Sequence, residues 1–359
     1  MFVRRIGLVD FRNFSNLGCD FEDGLNYIEG ENAVGKTNLI EAIYYLSLTR
    51  SFKKNDDRDL IRYGCKNASL GLNYISKDGE HSIRIEILER GKIVYFDDEK
   101  QKTVTSIIGK LPVVVFEPSS TMLFKGDPLS RRKLVDETLS NLSSDYLYAL
   151  ARFKKFIKER NVALAQRYDE DVIDILTKEV CRESFKVYRL RNRFVSKLNS
   201  LLTEIYDELF DSAEKLRISY LTNVPLIENE KEFVEAMMSK FDELKSEERM
   251  KCVTLIGCHR DDFRAYLDDK NVASYGSQGQ NRLVTLALKL AIGKIYEESF
   301  GEKPVYLLDD VLSDLDEKRV NNLLNYLKDR GQVFVTSAKK IEGEDKKIYE
   351  IKDSSIERK

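Results

Sequence analysis

The stretch GENAVGKTNL, residues Gly30–Leu39, fits the pattern G-x-x-x-x-G-K-[S/T] and follows the apolar run Leu25–Glu29. In such a loop the backbone N–H groups surround phosphate oxygens, the lysine reaches the β- and γ-phosphates, and the hydroxyl residue holds Mg²⁺. Lys36 and Thr37 occupy these two positions. The apolar-periodic segment Asn38–Leu48 predicts a helix after the loop. The stretch therefore predicts nucleotide binding, and it leaves open what the nucleotide is for.

Length and composition narrow the class of protein. At 359 residues the chain can form one large domain with a subdomain. Its 59 basic and 61 acidic residues nearly cancel, so any attraction to nucleic acid must come from a local basic surface.

Five cysteines without a C-x-x-C spacing argue against disulfides and against a zinc site. Because no run of about 18 apolar residues and no signal peptide is found, we expect a cytoplasmic protein without a membrane partner.

The first 120 residues predict an α/β segment with an antiparallel β flap. Short β-branched and aromatic runs alternate there with Asp-Gly and Arg-Gly turns, which is typical of hairpins. The expected strands are Phe2–Val9, Leu25–Glu29, Ala68–Ile75, His81–Leu88, Lys92–Phe96 and Leu111–Phe116.

Long helical patterns follow, and strands return near the C-terminus. An apolar stripe over Glu179–Phe210 predicts a helix of about 30 residues, and Leu216–Leu221 is a possible short strand. Further strands are expected at Thr254–Ile256, Val305–Leu308 and Val333–Thr336, with a helix at Gln280–Phe300 and a frayed tail at 353–359. We therefore divide the chain into the first part of a head (1–120), an inserted helical lobe (121–255) and the second part of the head (256–359).

A second segment supplies the carboxylates that a phosphate loop needs. Val305–Leu308 is a short apolar run that ends in Asp309 and Asp310. The carboxyl end of a central strand lies beside the phosphate loop at the crevice of an open sheet. Asp309 is therefore a candidate for the Mg²⁺ shell, and Asp310 is a candidate for orienting or deprotonating the attacking water.

Two serine motifs accompany these segments. Ser277-Gln278-Gly279-Gln280 opens the predicted helix Gln280–Phe300, where backbone N–H groups favour an anion. Ser313-Asp314-Leu315-Asp316 follows the two carboxylates. A serine at a helix start is more often only an N-cap, and for each motif alone that is the favoured interpretation.

The order of these motifs resembles the ABC-type P-loop ATPase head. The resemblance implies that ATP with Mg²⁺ binds between two subunits, where the phosphate loop and metal aspartate of one meet the signature serine of the other. It implies catalytic roles for Lys36, Asp309, Asp310, Ser277 and Gln280, and metal binding by Thr37 and Asp309. The nucleotide contacts that it implies are Arg12, Gly30, Asn32, Ala33, Val34, Gly35, Lys36, Thr37, Asn38, Ser277, Gly279 and Asp316.

Further blocks resemble the RecF family, and they extend over the whole chain. The blocks are Phe11–Phe14, Gly30–Tyr44, Asp59–Arg62, Lys125–Asp136, His259–Asp262, Tyr275–Arg282 and Leu307–Asp316. The 240 or so residues between Lys36 and Ser277 are too many for a transporter subunit and too few for an SMC-like protein. The chain departs from other ABC-type proteins in three places: Asp310 replaces a glutamate, no glutamine follows Phe116, and Thr336 or Ser337 stands where a γ-phosphate-sensing histidine is common.

The resemblance to RecF implies a function in recombinational repair. It implies a weak ATPase that forms an ATP-dependent homodimer, binds double-stranded DNA near single-strand junctions, and with RecO and RecR helps to load RecA. The alternative is the ATPase subunit of a transporter or of another ABC-type complex, with a soluble nucleotide kinase further behind.

Basic clusters are candidate DNA contacts, although charged runs on helices are more often solvated faces. Arg189 and Arg193 are four residues apart and thus share one side of a helix. Such contacts would be made to phosphates and would depend on salt. The candidates are Lys53, Lys54, Arg131, Arg132, Lys186, Arg189 and Arg193. For His259 with Asp261 and Asp262, a turn is favoured over a metal site.

Overall fold

A computed structural model describes residues 1–53, 56–210, 212–225, 227–337, 347–352 and 355–359 of the chain. The chain forms two compact units. The first unit comprises Met1–Thr121, Glu204–Ala213 and Thr285–Lys359. The second unit comprises Met122–Thr203 and Glu214–Val284. In the described residues, no helix has both the length and the apolar character needed to cross a membrane.

The strands and helices are numbered along the chain. The strands are β1 (Phe2–Phe11), β2 (Phe14–Asp20), β3 (Leu25–Glu29), β4 (Ala68–Ser76), β5 (Gly79–Ile87), β6 (Lys92–Phe96), β7 (Glu99–Lys100), β8 (Val113–Phe116), β9 (Leu216–Leu221), β10 (Asp262–Leu267), β11 (Lys270–Asn271), β12 (Val305–Leu308), β13 (Val333–Ser337), β14 (Lys347–Lys352) and β15 (Ser355–Arg358). The helices are α1 (Lys36–Leu48), α2 (Pro128–Leu142), α3 (Ser144–Ala165), α4 (Glu170–Phe210), α5 (Glu230–Lys251), α6 (Val272–Tyr275), α7 (Gln278–Phe300) and α8 (Glu317–Lys328).

A largely parallel sheet in the first unit positions the nucleotide-binding segments. Its strand order is β15-β14-β3-β13-β12-β8, and all neighbours are parallel except β14 and β15. The strand β12 is buried at every residue, as expected for a parallel strand that is covered on both faces. Because β3, β13 and β12 are adjacent and parallel, their carboxyl ends meet at one edge.

The helix α1 lies between this sheet and an antiparallel sheet of order β2-β1-β4-β5-β6-β7. It contacts β8 and β13 of the parallel sheet and β4 and β5 of the antiparallel sheet. Every residue of α1 from Leu39 to Leu48 is buried, including the acidic Glu41. The helix that follows the phosphate loop is therefore part of the main core of the first unit.

The second unit combines helices α2, α3 and α5, most of α4 and the start of α7 with the antiparallel sheet β11-β10-β9. A buried arginine of α4, Arg191, joins several of these elements. Its guanidinium donates to Asp136 of α2 at 2.7 Å, to Asp261 at 2.7 Å and to the Tyr146 hydroxyl at 3.0 Å. The two carboxylates compensate the buried cation of Arg191, which would be costly to bury without them.

The observed elements agree with most of the predicted ones, with some differences. The predicted strand Thr254–Ile256 is wrong: Thr254 donates to Asn161 and accepts from His259, so its polar groups bind side chains and no sheet ladder forms. The tail is not simply frayed, since Ser355–Arg358 pairs with β14. Residues 256–284, assigned above to the head, lie in the second unit because β10 pairs with β9.

We predict that Arg191→Met lowers the free energy of unfolding by about 3 to 5 kcal/mol, because it leaves the buried Asp261 carboxylate without its cation. Arg189→Met, two residues away on the exposed side of the same helix, should cost no more than about 0.5 kcal/mol. Urea unfolding followed by circular dichroism measures both. Equal losses for the two variants would contradict a structural role for the Arg191 network.

Candidate nucleotide-binding site

The phosphate loop has a backbone that requires glycine at its end. Gly35, the residue before α1, has a φ of 115°, which lies in the region that disfavours residues with a Cβ. A Cβ at this position would also lie 2.7 Å from Asn13 Nδ2 and from Phe14 Cζ. The turn between β1 and β2 therefore packs directly against the loop. Asn13 also donates to the carbonyl of Val34 at 2.8 Å and accepts from Asn38 at 2.8 Å.

Lys36 folds back over the loop. Its ammonium donates to the carbonyls of Gly30 and Glu31, each at 2.7 Å. Burial lowers the pKa of Lys36, and the carboxylates of Asp310 and Asp309 oppose this effect. The charged form is thus held among backbone oxygens at the mouth of the loop, where it can exchange these acceptors for phosphate oxygens.

Thr37 and Asp309 meet although 272 positions separate them in the chain. The Thr37 hydroxyl donates to Asp309 Oδ1 at 2.8 Å, and the Thr336 hydroxyl donates to the same oxygen at 3.1 Å. Asp309 is only 4% exposed, and burial raises the pKa of its carboxyl while the two hydroxyl hydrogen bonds lower it. Asp309 directly follows β12, Thr336 lies near the end of β13, and Thr37 follows the loop that begins at the end of β3. The three side chains meet because these strands are adjacent and parallel.

Asp310 has an unusual backbone conformation. Its φ is 51°, in the left-handed region that residues other than glycine rarely adopt. Its N–H donates to the Thr336 hydroxyl at 2.9 Å, and its carbonyl accepts from the Ser313 hydroxyl at 2.8 Å. The residue is exposed, so its carboxylate is accessible from the pocket.

One pocket brings the phosphate loop and the two carboxylates together. It is lined by Asn32, Ala33, Gly35, Lys36, Thr37, Asn38, Asp309, Asp310 and Thr336. Arg12, Gly30 and Val34, predicted above as nucleotide contacts, are not among its lining residues in the described chain. Gly30 and Val34 instead supply carbonyls that hold Lys36 and Asn13.

The donor set in this pocket fits Mg²⁺. A hydroxyl and a carboxylate are hard oxygen ligands, and Mg²⁺ usually takes only one or two protein groups together with phosphates and water. Both protein hydrogen bonds to Asp309 use Oδ1, so within the described residues no donor is bonded to its Oδ2. Thr37 and Asp309 are therefore suitable metal ligands.

Arg12 and Lys53 both face the buried carboxylate of Glu41 on α1. Arg12 donates to the two oxygens of Glu41 at 3.0 and 2.8 Å. The Lys53 ammonium lies 3.4 Å from Glu41 and 3.4 Å from Asn38. The Lys53 side chain is 33% exposed with its ammonium towards α1, and its DNA contact stays a prediction. The predicted DNA contact Lys54 lies outside the described residues.

In the second unit the motif Ser277–Gln280 forms a reciprocal cap at the start of α7. The Ser277 hydroxyl accepts from the N–H of Gln280 at 3.0 Å, and the Gln280 side chain accepts from the N–H of Ser277 at 3.0 Å. Buried Asn281 donates to the carbonyls of Gly276 and Ser277 at 3.4 and 3.1 Å. A Cβ at Gly276 would lie 2.6 Å from a backbone carbonyl, so this tight turn needs glycine. The turn therefore holds Ser277, which is exposed, in a fixed place.

The remaining predicted residues have varied environments. Asp316 is the exposed N-cap of α8 and accepts from the N–H of Arg319 at 3.0 Å. Arg131 is 7% exposed and pairs with Asp262 at 2.7 Å, which corrects its predicted DNA contact, because a buried and paired guanidinium cannot reach a phosphate. Arg132 donates to the carbonyl of Asp261 at 2.6 Å.

A cationic stripe on α4 does face solvent. Lys186, Arg189 and Arg193 are all exposed and recur at helical spacing. Lys186 pairs with Glu183 at 3.2 Å, while the guanidinium of Arg189 lies 5.5 Å from the ring of Phe185. The stripe is the part of the predicted DNA surface whose positions suit contact with a polyanion.

His259 belongs to a buried turn of the second unit. Its Nε2 lies 3.1 Å from the carbonyl of Thr254, and burial lowers its pKa to about 4. Within the described residues no group of three or more metal-binding side chains is found. The favoured interpretation of the block His259–Asp262 is a surface or interface turn; the structure has a turn there, with Asp261 fully buried and His259 partly buried.

Sequence reasoning missed some residues of the site. Asn13 and Glu41 support the loop and its helix through contacts between elements that no local pattern could indicate. Thr336 was noted only as a candidate replacement for a histidine. The signal that could have located it was its place at the end of the predicted strand Val333–Thr336, since the ends of parallel strands meet at one edge of a sheet.

Comparison with known proteins agrees with this geometry. Residues 2–353 match the family described as the RecF/RecN/SMC N terminal domain. The DNA replication and repair protein RecF of Halalkalibacterium halodurans is 35% identical over an alignment of 371 positions, which covers 100% of both chains. The protein of the same name from Pediococcus pentosaceus is 34% identical, and the match covers 94% of this chain and 92% of that one.

Solved structures give the same result. The structure of the recombination mediator protein RecF with ATP, in the RecFOR pathway, superposes with a TM-score of 0.93 at 30% identity, covering 99% of this chain and 97% of that one. An Smc head domain from Pyrococcus furiosus has a TM-score of 0.57 at 18% identity, covers 99% of this chain and 95% of that one, and shows the fold alone. The predicted fold class, an ABC-type ATPase head, is confirmed.

Proposed function

The chain belongs to the RecF family of DNA replication and repair proteins, and from this premise we propose that it binds and hydrolyses ATP to control its association with DNA. The observation that carries the proposal is the hydrogen bond of 2.8 Å between Thr37 and Asp309. It joins the phosphate loop to the acidic strand end in one pocket. ATP is also the ligand named for a solved RecF structure that this chain resembles.

The residues of the pocket have distinct proposed roles. The N–H groups of the loop and the Lys36 ammonium bind the phosphates, and Lys36 exchanges its two carbonyl acceptors for phosphate oxygens. Thr37 and Asp309 hold Mg²⁺, which when bound offsets the negative charge of the β- and γ-phosphates. Burial of Asp309 makes its carboxylate costly without a cation, which favours occupation by the metal.

Asp310 is proposed to act on the attacking water. Its carboxylate accepts a proton as the water oxygen forms a bond to the γ-phosphorus, while the bond from that phosphorus to the oxygen of ADP breaks. The products are ADP and inorganic phosphate, and the proton returns to solvent. An aspartate has a shorter reach than the glutamate common in ABC-type proteins, and this supports a slow reaction that serves as a switch.

The signature motif is proposed to act in trans. Ser277, Gly279 and Gln280 contact the γ-phosphate of ATP bound to a second copy of the chain, so that ATP favours a homodimer. The exposure of Ser277 and its rigid turn support this role, because a preformed contact loses little conformational freedom on binding. Asp316 would contribute to the same contact. The first unit would then be the ATPase head, and the second the lobe that carries the signature.

The partner that the comparisons support is DNA. We propose that the stripe of Lys186, Arg189 and Arg193 contacts phosphates of double-stranded DNA near single-strand junctions, and that RecR, RecO and RecA act in the same process in the cytoplasm. A transporter subunit, the alternative considered above, is not favoured, since the whole chain matches RecF proteins.

We predict that ATP with Mg²⁺ converts the protein from monomer to dimer, as measured by light scattering. Lys36→Met should abolish both nucleotide binding and dimer formation. Ser277→Arg should leave binding of a fluorescent ATP analogue unchanged within about twofold and abolish the dimer, because the added side chain occupies the place of the partner's γ-phosphate.

Ser274→Arg is a matched control for that substitution. Ser274 is an exposed serine three residues before Ser277, and its replacement should leave the dimer intact. A Ser277→Arg protein that still dimerises with ATP would contradict the role of the signature in trans, whereas a protein that never dimerises with ATP would contradict the proposed function as a whole.

We predict that Arg189→Ala combined with Arg193→Ala weakens duplex DNA binding at every sequence and lowers the slope of log K against log salt concentration by about 2. The reason is the loss of two phosphate contacts. Fluorescence anisotropy over a salt series measures the slope.

The control for the DNA experiment removes two exposed lysines from α5, by Lys231→Ala with Lys251→Ala. The net charge changes by the same amount, so a non-specific effect would be equal in both proteins. An unchanged salt slope in the Arg189 and Arg193 variant would show that this stripe does not contact DNA.

A further inference from the structure

Thr336 lies where the three nucleotide-binding strand ends meet. It belongs to β13, which separates β3 from β12 in the parallel sheet. Its side chain is 3% exposed and lines the pocket together with the phosphate loop and the two carboxylates. The roles proposed above for the pocket do not use this residue.

The Thr336 hydroxyl contacts two consecutive acidic residues in opposite senses. It accepts a hydrogen bond from the backbone N–H of Asp310 at 2.9 Å and donates one to Asp309 Oδ1 at 3.1 Å. A hydroxyl has one hydrogen to donate, and the Asp309 carboxylate is the nearer acceptor, since the carbonyl of Leu308 lies 3.5 Å from the Thr336 hydroxyl. The Thr336 hydroxyl oxygen then accepts the hydrogen bond from the backbone N–H of Asp310.

The backbone of Asp310 needs such support. Its φ of 51° is disfavoured for a residue with a Cβ, although aspartate tolerates it better than most. The Ser313 hydroxyl holds the carbonyl of Asp310 at 2.8 Å, so the peptide groups on both sides of Asp310 are bonded to hydroxyls. Without the Thr336 hydroxyl as acceptor, the Asp310 N–H would be unpaired, and a backbone rotation that exposes it to water would be favourable. The Asp310 carboxylate would move with that rotation.

We propose that Thr336 is the positioning residue for Asp310. Its hydroxyl keeps Asp310 in the left-handed conformation, and this directs the carboxylate to the water that attacks the γ-phosphate. The inference rests on the proposed ATPase function and adds to it the group that aims the general base. It also assigns a role to a position where the resemblance to ABC-type proteins suggested a phosphate sensor.

The test is the steady-state ATPase of Thr336→Val, which keeps the shape of the side chain and removes the hydroxyl. We expect kcat to fall about tenfold or more, while KM and the affinity for a fluorescent ATP analogue change by less than about twofold. Thr336→Ser, which restores the hydroxyl, should return kcat to within about threefold of the original. Thr285→Val, a buried threonine on α7 of the same unit, should leave kcat unchanged, and the urea midpoint of each variant reports on folding.

A double variant separates positioning from an independent contribution. If Thr336 acts through Asp310, then adding Thr336→Val to Asp310→Asn lowers kcat no further than Asp310→Asn alone. If the two substitutions instead lower kcat by independent factors that multiply in the double variant, the inference is overturned. A Thr336→Val protein with a weakened affinity for ATP and an unchanged kcat would also overturn it, since that result describes a phosphate contact.

The outcomes also distinguish this inference from the proposed function. If Asp310→Asn lowers kcat and Thr336→Val does not, the role of Thr336 is overturned and the proposed function stands. An Asp310→Asn protein as active as the original would contradict the role of Asp310 under the proposed function, and the positioning of Asp310 would fall with it.

Discussion

The hydrogen bond between Thr37 and Asp309 depends on a single constraint, the order of strands in the parallel sheet. Because β13 lies between β3 and β12, the ends of three strands from distant parts of the chain meet at one edge. The phosphate loop, the metal aspartate and Thr336 each extend from one of these ends. With a different order of the same strands, every motif would be intact, but the motifs would not meet and no site would form. The chemistry of the pocket is therefore a property of the topology as much as of the motifs.

Buried charge supports the structure in both units. In the first unit the buried Glu41 carboxylate of α1 binds Arg12, and Lys53 lies close to it. In the second unit Arg191 joins two carboxylates and a tyrosine. Groups of this kind are costly to bury unless they are paired, so each network favours one arrangement of the elements around it. Two arginines that the sequence suggested for nucleotide or DNA contacts, Arg12 and Arg131, belong to such networks.

Local patterns explain which parts of the fold could be predicted. Leu25–Glu29 and Val305–Leu308 were located to the residue, because short apolar runs between turn signals indicate buried strands. The strands β2 and β10 were missed. In β2, Asn16, Gly18 and Asp20 disfavour a strand, and pairing with β1 decides its structure. In β10 the alternation of Phe263, Ala265 and Leu267 with less buried residues is a strand signal that was not used. The helix α4 has 41 residues and begins at Glu170, before the predicted start at Glu179. Its first turns do contain apolar residues, but Val172 and Ile175 are exposed, so the buried stripe is less regular there.

For the site, the motifs predicted most of the pocket lining but not the direction of the basic side chains. Lys36, Thr37, Asp309 and Asp310 line one pocket as expected. Whether a lysine or arginine faces solvent or a buried carboxylate depends on tertiary contacts, and the sequence does not contain that information in a local form. Arg131 is buried and paired, and Lys53 is partly exposed with its ammonium near Glu41, whereas Arg189 and Arg193 on α4 are exposed.

The central claim is that one ATP is bound by the loop of one protomer and the signature of another. The most direct measurement is the ATPase rate of an equimolar mixture of Lys36→Met and Ser277→Arg proteins, each inactive alone. A mixed dimer contains one site with an intact loop and an intact signature, so the account predicts that mixing restores activity. A mixture as inactive as its two components would contradict it.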